Sequence, residues 1–161
     1  MTHQENGHQE VAKILKDADI AVLTTVNAEN QLVSRPLALQ AVEFDGLLWF
    51  FTQDPSPKAD EIRANQQVNV SVHAGGGYLS ISGTADIVHN RPKIDDLWSA
   101  AVEPWFENGK DDPTVALIRV AADTAEYWTA DSPKVATLFK LAKGMVTGEQ
   151  PDVGKNDVVE M

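Results

Sequence analysis

The 161-residue chain contains no cysteine, which excludes a disulfide frame, a thiolate nucleophile and any cysteine-based metal site. Positive charge is scarce. Thirteen Lys and Arg stand against 24 Asp and Glu, a formal net charge of −11, and the global field therefore argues against nucleic acid or an anionic membrane as partner. Arginine occurs only four times, as Arg35, Arg63, Arg91 and Arg119. No apolar run approaches membrane-spanning length, and the polar start MTHQENGHQE has no apolar signal region, so a cytoplasmic protein with no membrane contact is expected. Nucleotide-binding and hydrolase signatures (G-x-G-x-x-G, a P-loop, G-x-S-x-G) are missing, and no two of the four histidines share a helix face. No metal site and no nucleophile–base pair follow from these residues, so the catalytic residues stay unassigned.

What is present suits one globular domain spanning 1–161, with 43% hydrophobic residues. The first eight or so residues read as a flexible N-terminus, and those from about 148 as an irregular C-terminal tail. Val11, Ile14, Leu15 and Ala18 recur at helical spacing, giving a helix at 8–18. Asp19–Val26 is a strand closed by the polar turn Asn27–Asn30, and VNVSVH (68–73) alternates as a half-buried strand. Gly75–Gly77 turns the chain into a strand over 78–88 with a bulge at Gly83. Arg91-Pro92 opens a helix with Ile94, Leu97, Trp98 and Ala101 on one face. Strands at 114–122 and 125–129 and a last helix marked by Val135, Leu138, Phe139 and Ala142 complete the pattern. About seven antiparallel strands with short helices at the edges predict a mainly β fold, a closed or partly closed barrel, with a sandwich as the alternative.

The most informative segment is Ser34–Ile62, SRPLALQAVEFDGLLWFFTQDPSPKADEI. Asp45-Gly46 between apolar runs is a strong hairpin signal, predicting strands at 32–43 and 47–53 that pair Phe44 with Leu47 and Leu39 with Thr52. That register projects Arg35 opposite Ser56. Ser56-Pro57 then reads as an N-cap and first helical residue, starting a helix to about Asn65 with Ala59 and Ile62 inward. Arg35, Thr52, Ser56, Lys58 and the free N–H groups of the helix start would share one end of the hairpin, as a seat for an anion such as phosphate. Taken singly, each residue has a bland reading as a cap, a strand residue or a solvated charge.

The series SRPL, LWFFT, S-x-K opening a helix, VNVSV and YLSISGTA resembles the FMN-binding split-barrel superfamily that includes the pyridoxamine 5′-phosphate oxidases. Trp98 and Trp105-Phe106 followed by Gly109 and Asp112-Pro113, then AEYW (125–128) and TGEQPDVG near the end, narrow the resemblance to the general stress protein 26 family. The resemblance implies a six-stranded antiparallel split barrel and a homodimer with a flavin in each of two interfacial clefts. The cofactor implied is FMN, with FAD possible. Its implied contacts are Arg35, Pro36 and Leu37 on one strand, Phe51 and Thr52 on the next, Ser56, Pro57 and Lys58 at the phosphate, and Tyr78 reaching from the partner chain. Trp105 is a candidate lid over the ring, with packing as the alternative.

Two departures stand out. Pro57 replaces the arginine of the oxidases' S-R-K motif, and no arginine or histidine follows Arg119, where the oxidases carry a substrate-gripping arm. Both count against pyridoxamine-phosphate oxidation. The resulting expectation is a flavin-dependent oxidoreductase of unassigned substrate, with NAD(P)H as a candidate donor. The alternative is a protein that sequesters flavin or senses its redox state without turnover, and a barrel that has lost flavin binding is a third reading.

Overall fold

The structure, a computed structural model, describes residues 3–129 and 155–161. The helix expected around Val135–Ala142 lies outside the described residues.

An N-terminal helix, α1 (His3–Lys16), starts inside the stretch expected to be flexible. Its buried side chains Val11, Ile14 and Leu15 cover the end of a seven-stranded antiparallel sheet. The strands are β1 (Ile20–Val26), β2 (Leu32–Ala38), β3 (Leu47–Gln53), β4 (Gln67–Ala74), β5 (Gly77–Val88), β6 (Val115–Thr129) and β7 (Lys155–Glu160). The order runs β2-β1-β4-β5-β6-β3, with β7 also on β6. The sheet is open between β2 and β3, and it has seven strands where six were expected. The seventh, β7, belongs to the tail expected to be irregular, and it pairs Thr124–Thr129 of β6. The two late strands expected from the sequence are the single fifteen-residue β6.

The hairpin reading of Asp45-Gly46 is wrong. β2 pairs with β1, placing Leu23 opposite Arg35, and β3 pairs with β6 from Leu47↔Ala121 to Gln53↔Val115. Neither Leu39↔Thr52 nor Arg35 opposite Ser56 occurs, and residues 39–46 form no regular element. The physical reason lies in the burial each strand needs. β2 has no fully buried residue, so it suits a ladder with one neighbour at the sheet margin. β3 is apolar on both faces: Leu48 and Phe50 enter the main core, while Trp49 enters a second cluster. Only the equally apolar start of β6, with Val115, Leu117, Ile118 and Val120 all fully buried, offers cover on both sides. The β1–β2 turn is closed by Asn27, whose Oδ1 accepts from Glu29 N (3.0 Å) and Gln31 N (2.8 Å). Asp45 makes only a local turn, with its Oδ1 accepting from Leu47 N at 3.2 Å.

The β4–β5 turn and the β5 bulge are as expected. Gly75 and Gly76 take φ of 58° and 77°, the two positive values a tight hairpin turn requires. The β5/β6 register shifts between Ser82 and Gly83, where a Cβ on Gly83 would stand 2.2 Å from the Ala121 carbonyl oxygen. α2 (Pro57–Ala64) starts as expected, with Ser56 Oγ accepting from Ala59 N at 3.1 Å and Ala59 and Ile62 buried. α3 (Arg91–Leu97) buries Ile94 and Leu97 but ends before Ala101, which is exposed.

α3 and the residues flanking the following 3₁₀ turn (Glu103–Trp105), Val102 and Phe106, pack with Trp49, Val115 and Leu117 in the second cluster. No helix among the described residues is long and apolar enough to cross a membrane. No group of three or more His, Asp or Glu side chains that could hold a metal ion occurs there either.

Candidate functional site

Four elements converge beside the opening between β2 and β3. Arg35, at the middle of β2, turns its guanidinium toward β1 and α2. Its Nη1 donates to Thr25 Oγ1 at 2.6 Å and to the Leu23 carbonyl at 3.4 Å, and its Nη2 donates to Glu61 Oε2 at 3.0 Å. Thr25 Oγ1 in turn donates to the same Glu61 oxygen at 2.7 Å. Thr25 is fully buried, and the Arg35 and Glu61 side chains are only 20% and 18% exposed. This closed triangle holds the arginine in a single pose.

From the other side of the opening, Lys58 Nζ donates to Thr52 Oγ1 at 3.3 Å. Thr52 is buried on β3, and its hydroxyl donates to the Gln53 carbonyl. Burial is the main cause that lowers the Lys58 pKa below its ordinary value, the Arg35 charge adds to the lowering, and Glu61 opposes it. The two cations therefore feel each other, although they stand on different elements. Lys58 and Glu61 are three residues apart on α2 and share one helix face. Thus α2 brings a cation and a carboxylate to one place beside its N-terminus, where Pro57 has no N–H and Ala59 N and Asp60 N already donate to Ser56.

The donor set fits a phosphate. After its three bonds Arg35 keeps two N–H groups, and Lys58 keeps two of its three, uncommitted among the described residues. Pro57 opens the helix without an N–H of its own to satisfy. Ser56 stands at the cap, its oxygen occupied by Ala59 N.

The other candidates lie apart from this seat. Pro36 is exposed on the sheet face opposite Arg35, paired with Val22, and Leu37 packs on the main core. Phe51 points away from Thr52 into the second cluster, edge-on to Trp98 at 5.6 Å and to Phe106 at 6.1 Å between ring centroids. Tyr78 is exposed and stacked on His73, with centroids 4.1 Å apart and planes 6° from parallel. Both border a groove of about 280 Å³ on the outer sheet face, lined also by Val22, Ser71, Ser80 and Trp128. Trp105 is 75% exposed on its 3₁₀ turn.

Sequence reasoning missed Thr25 and Glu61. The i, i+3 spacing of Lys58 and Glu61 was a usable signal for the carboxylate, whereas Thr25 needed the β1–β2 register.

A second ionic cluster lies at the entry to α2. Asp54 accepts from Arg63 through both oxygens, Nη1 to Oδ1 at 2.7 Å and Nη2 to Oδ2 at 2.5 Å, and His89 Nε2 lies 2.6 Å from Oδ2. These two partners hold the Asp54 carboxyl well below the usual carboxylate range.

The chain is 29% identical over 158 residues to Protein bli-3 of Neurospora crassa, covering 91% of this chain and 76% of that one. A candidate general stress protein 26 from Jannaschia sp. CCS1 superposes with a TM-score of 0.75 at 25% identity, covering 98% of this chain and 99% of that one. The general stress FMN/FAD binding protein of Xanthomonas citri superposes with a TM-score of 0.71 at 26% identity, covering 80% and 92%. The profile of the pyridoxamine 5′-phosphate oxidase like family matches residues 6–152. Spanning nearly the whole chain, that match makes this protein a member of the pyridoxamine 5′-phosphate oxidase-like family.

Proposed function

We propose that the protein binds a flavin, FMN or its larger relative FAD, and works as a homodimeric flavin-dependent oxidoreductase. The observation that carries this reading is the seat itself: Arg35 and Lys58 meet beside the start of α2 in a chain of net charge −11. The Xanthomonas citri relative, named as FMN/FAD binding, supports it. Arg35, Lys58 and the α2 first turn would hold the phosphate, with Thr52 orienting Lys58 and Ser56 fixing the helix start. The backbone of Pro36 and Leu37 would line the ring, and Tyr78 and Trp105, both exposed, would cover it in the dimer. Phe51 would act from beneath, by anchoring β3 against Trp98 and Phe106. A bound flavin supplies the hydride or electron chemistry, while the chain's own residues bind, orient and exclude water.

The dimer is proposed through the outer sheet face. Of the eight large apolar side chains exposed among the described residues, six (Ile20, Val22, Leu32, Tyr78, Trp128 and Val158) project from this face. Cross-strand pairing aligns Val22 with Ser71, Ser80, Glu126 and Val158, so the face is continuous across six strands, counting β2 beside β1. Six large exposed apolar side chains on one face, interleaved with Ser71, Ser80 and Glu126, mark an interaction surface.

Purified protein is expected to be yellow, or to take up added FMN with a visible absorbance change. Colourless protein that fails to bind FMN would overturn the reading. Anaerobic mixing with NADH and NADPH then tests turnover, with bleaching expected. A second reading, a flavin holder without turnover, is favoured by one observation: the seat's carboxylate, Glu61, is already engaged by Arg35 and Thr25. Colour that persists with both nicotinamides supports that reading instead.

A further inference from the structure

A seat built to hold a phosphate dianion would be expected to concentrate positive charge, yet this one contains a carboxylate. Glu61 Oε2 takes one hydrogen bond from Arg35 and one from Thr25, at 3.0 and 2.7 Å, and the side chain is only 18% exposed. Glu61 stands one helical turn from Lys58, close enough to raise that lysine's proton affinity against burial. With all three ionised, Arg35 and Lys58 contribute two positive charges and Glu61 one negative, leaving a single unit for the ligand. Screening is weak at such sites, where a unit charge a few ångströms away matters far more than in water.

A phosphate monoester carries about −1.5 to −2 at neutral pH, because its second pKa is about 6. Each phosphate of a pyrophosphate diester carries about one negative charge. The first charge of either ligand is matched by the seat, whereas the second meets Glu61 with no cation left to offset it. Arg35 cannot swing fully onto the ligand to compensate, since Thr25 and the Leu23 carbonyl hold its Nη1.

We propose that Glu61 is the specificity-determining residue of the seat: by pinning Arg35 and cancelling its charge, it makes the site favour a phosphate bearing one negative charge over one bearing two. This rests on the flavin-binding reading. Glu61 acts through Arg35 and through the local field rather than by touching the reacting ring, so it is a positioning residue.

The test compares Glu61→Gln with the parent protein against three probes: FMN, FAD and riboflavin. The amide side chain keeps an acceptor oxygen for Arg35 and Thr25 and removes only the charge. The ratio of parent to variant dissociation constants is read for each probe, so the adenosine contacts of FAD cancel. Tightening by about tenfold or more is expected for FMN, by a smaller factor for FAD, and none for riboflavin. Equal ratios for FMN and FAD, or weaker FMN binding by the variant, would overturn the proposal. The parent's absolute affinities show which flavin supplies the singly charged phosphate. Glu61→Ala, with thermal melting of each variant, separates loss of the Arg35 pose from loss of charge: FMN binding below that of Glu61→Gln is expected, and equal binding by the two would refute the pinning. If no probe binds the parent, the flavin reading itself fails. If flavins bind and the ratios do not differ, only the role of Glu61 fails.

Discussion

Arg35 on β2 and Glu61 on α2, 26 residues apart, are joined by a 3.0 Å bond from Nη2 to Oε2, and the buried Thr25 hydroxyl bonds to both. This contact ties the margin of the sheet to the helix that carries Lys58. It therefore serves the fold and the seat together.

Thr25→Val should be costly for its size. The hydroxyl both donates to Glu61 and accepts from Arg35, so an isosteric apolar group leaves two charged partners under-satisfied. A loss of about 1–3 kcal/mol is expected for such buried, charge-assisted bonds, together with weaker FMN binding. Chemical denaturation and flavin titration check it, and unchanged values in both would refute the triangle's importance.

Arg35→Ala and Lys58→Met should each weaken FMN by about 1–3 kcal/mol, the range for a charge-assisted hydrogen bond, and change riboflavin little. The Lys58 contribution should depend on pH. Its pKa in the folded protein lies below the usual 10.5, and a bound phosphate favours the protonated lysine. FMN affinity should therefore fall as pH rises through that lowered pKa, in a window beginning below 10.5. Lys58→Met should flatten this part of the profile, as titrations at several pH values would show.

The Asp54 cluster should govern acid stability rather than binding. Arg63 and His89 depress the folded carboxyl below its unfolded value of 3.8, so the stabilisation is complete above about pH 4 and is lost as pH falls below it. Asp54→Asn should be less stable than the parent at pH 7 and lose less on acidification. Parallel slopes of melting temperature against pH between 5 and 2 would contradict this.

The outer face should mediate self-association. Val22→Glu and Tyr78→Glu place charge among Ile20, Trp128 and the His73 ring without touching the main core. Both are expected to shift the protein from dimer to monomer in light scattering while leaving its melting transition cooperative. A parent protein that is already monomeric at high concentration would refute the interface.

Local signals carried much of this structure. The Ser56-Pro57 helix start, the Gly75-Gly76 turn, the Gly83 bulge and the amphipathic α1 were legible because each depends on residues close in sequence. Asp45-Gly46 was legible and misleading, since a good turn dipeptide says nothing of which strands need cover on both faces. The expected register was wrong, yet Arg35, Thr52, Ser56 and Lys58 still lie near one another, because α2 reaches Arg35 through Glu61 and Thr52 through Lys58.

The amino-acid sequence by itself determined which side chains were available: two cations within Ser34–Ile62, a capped helix start beside one of them, and apolar strands able to form a core. Only the tertiary structure decided their company. Pairing β2 with β1 and β3 with β6 brought Thr25 and Glu61 to Arg35, sent Phe51 into a second cluster and left Tyr78 and Pro36 on the far face. The reason is the two-residue period of a strand: once its neighbour is chosen, every side chain's face is settled, and that choice depends on burial summed over distant segments.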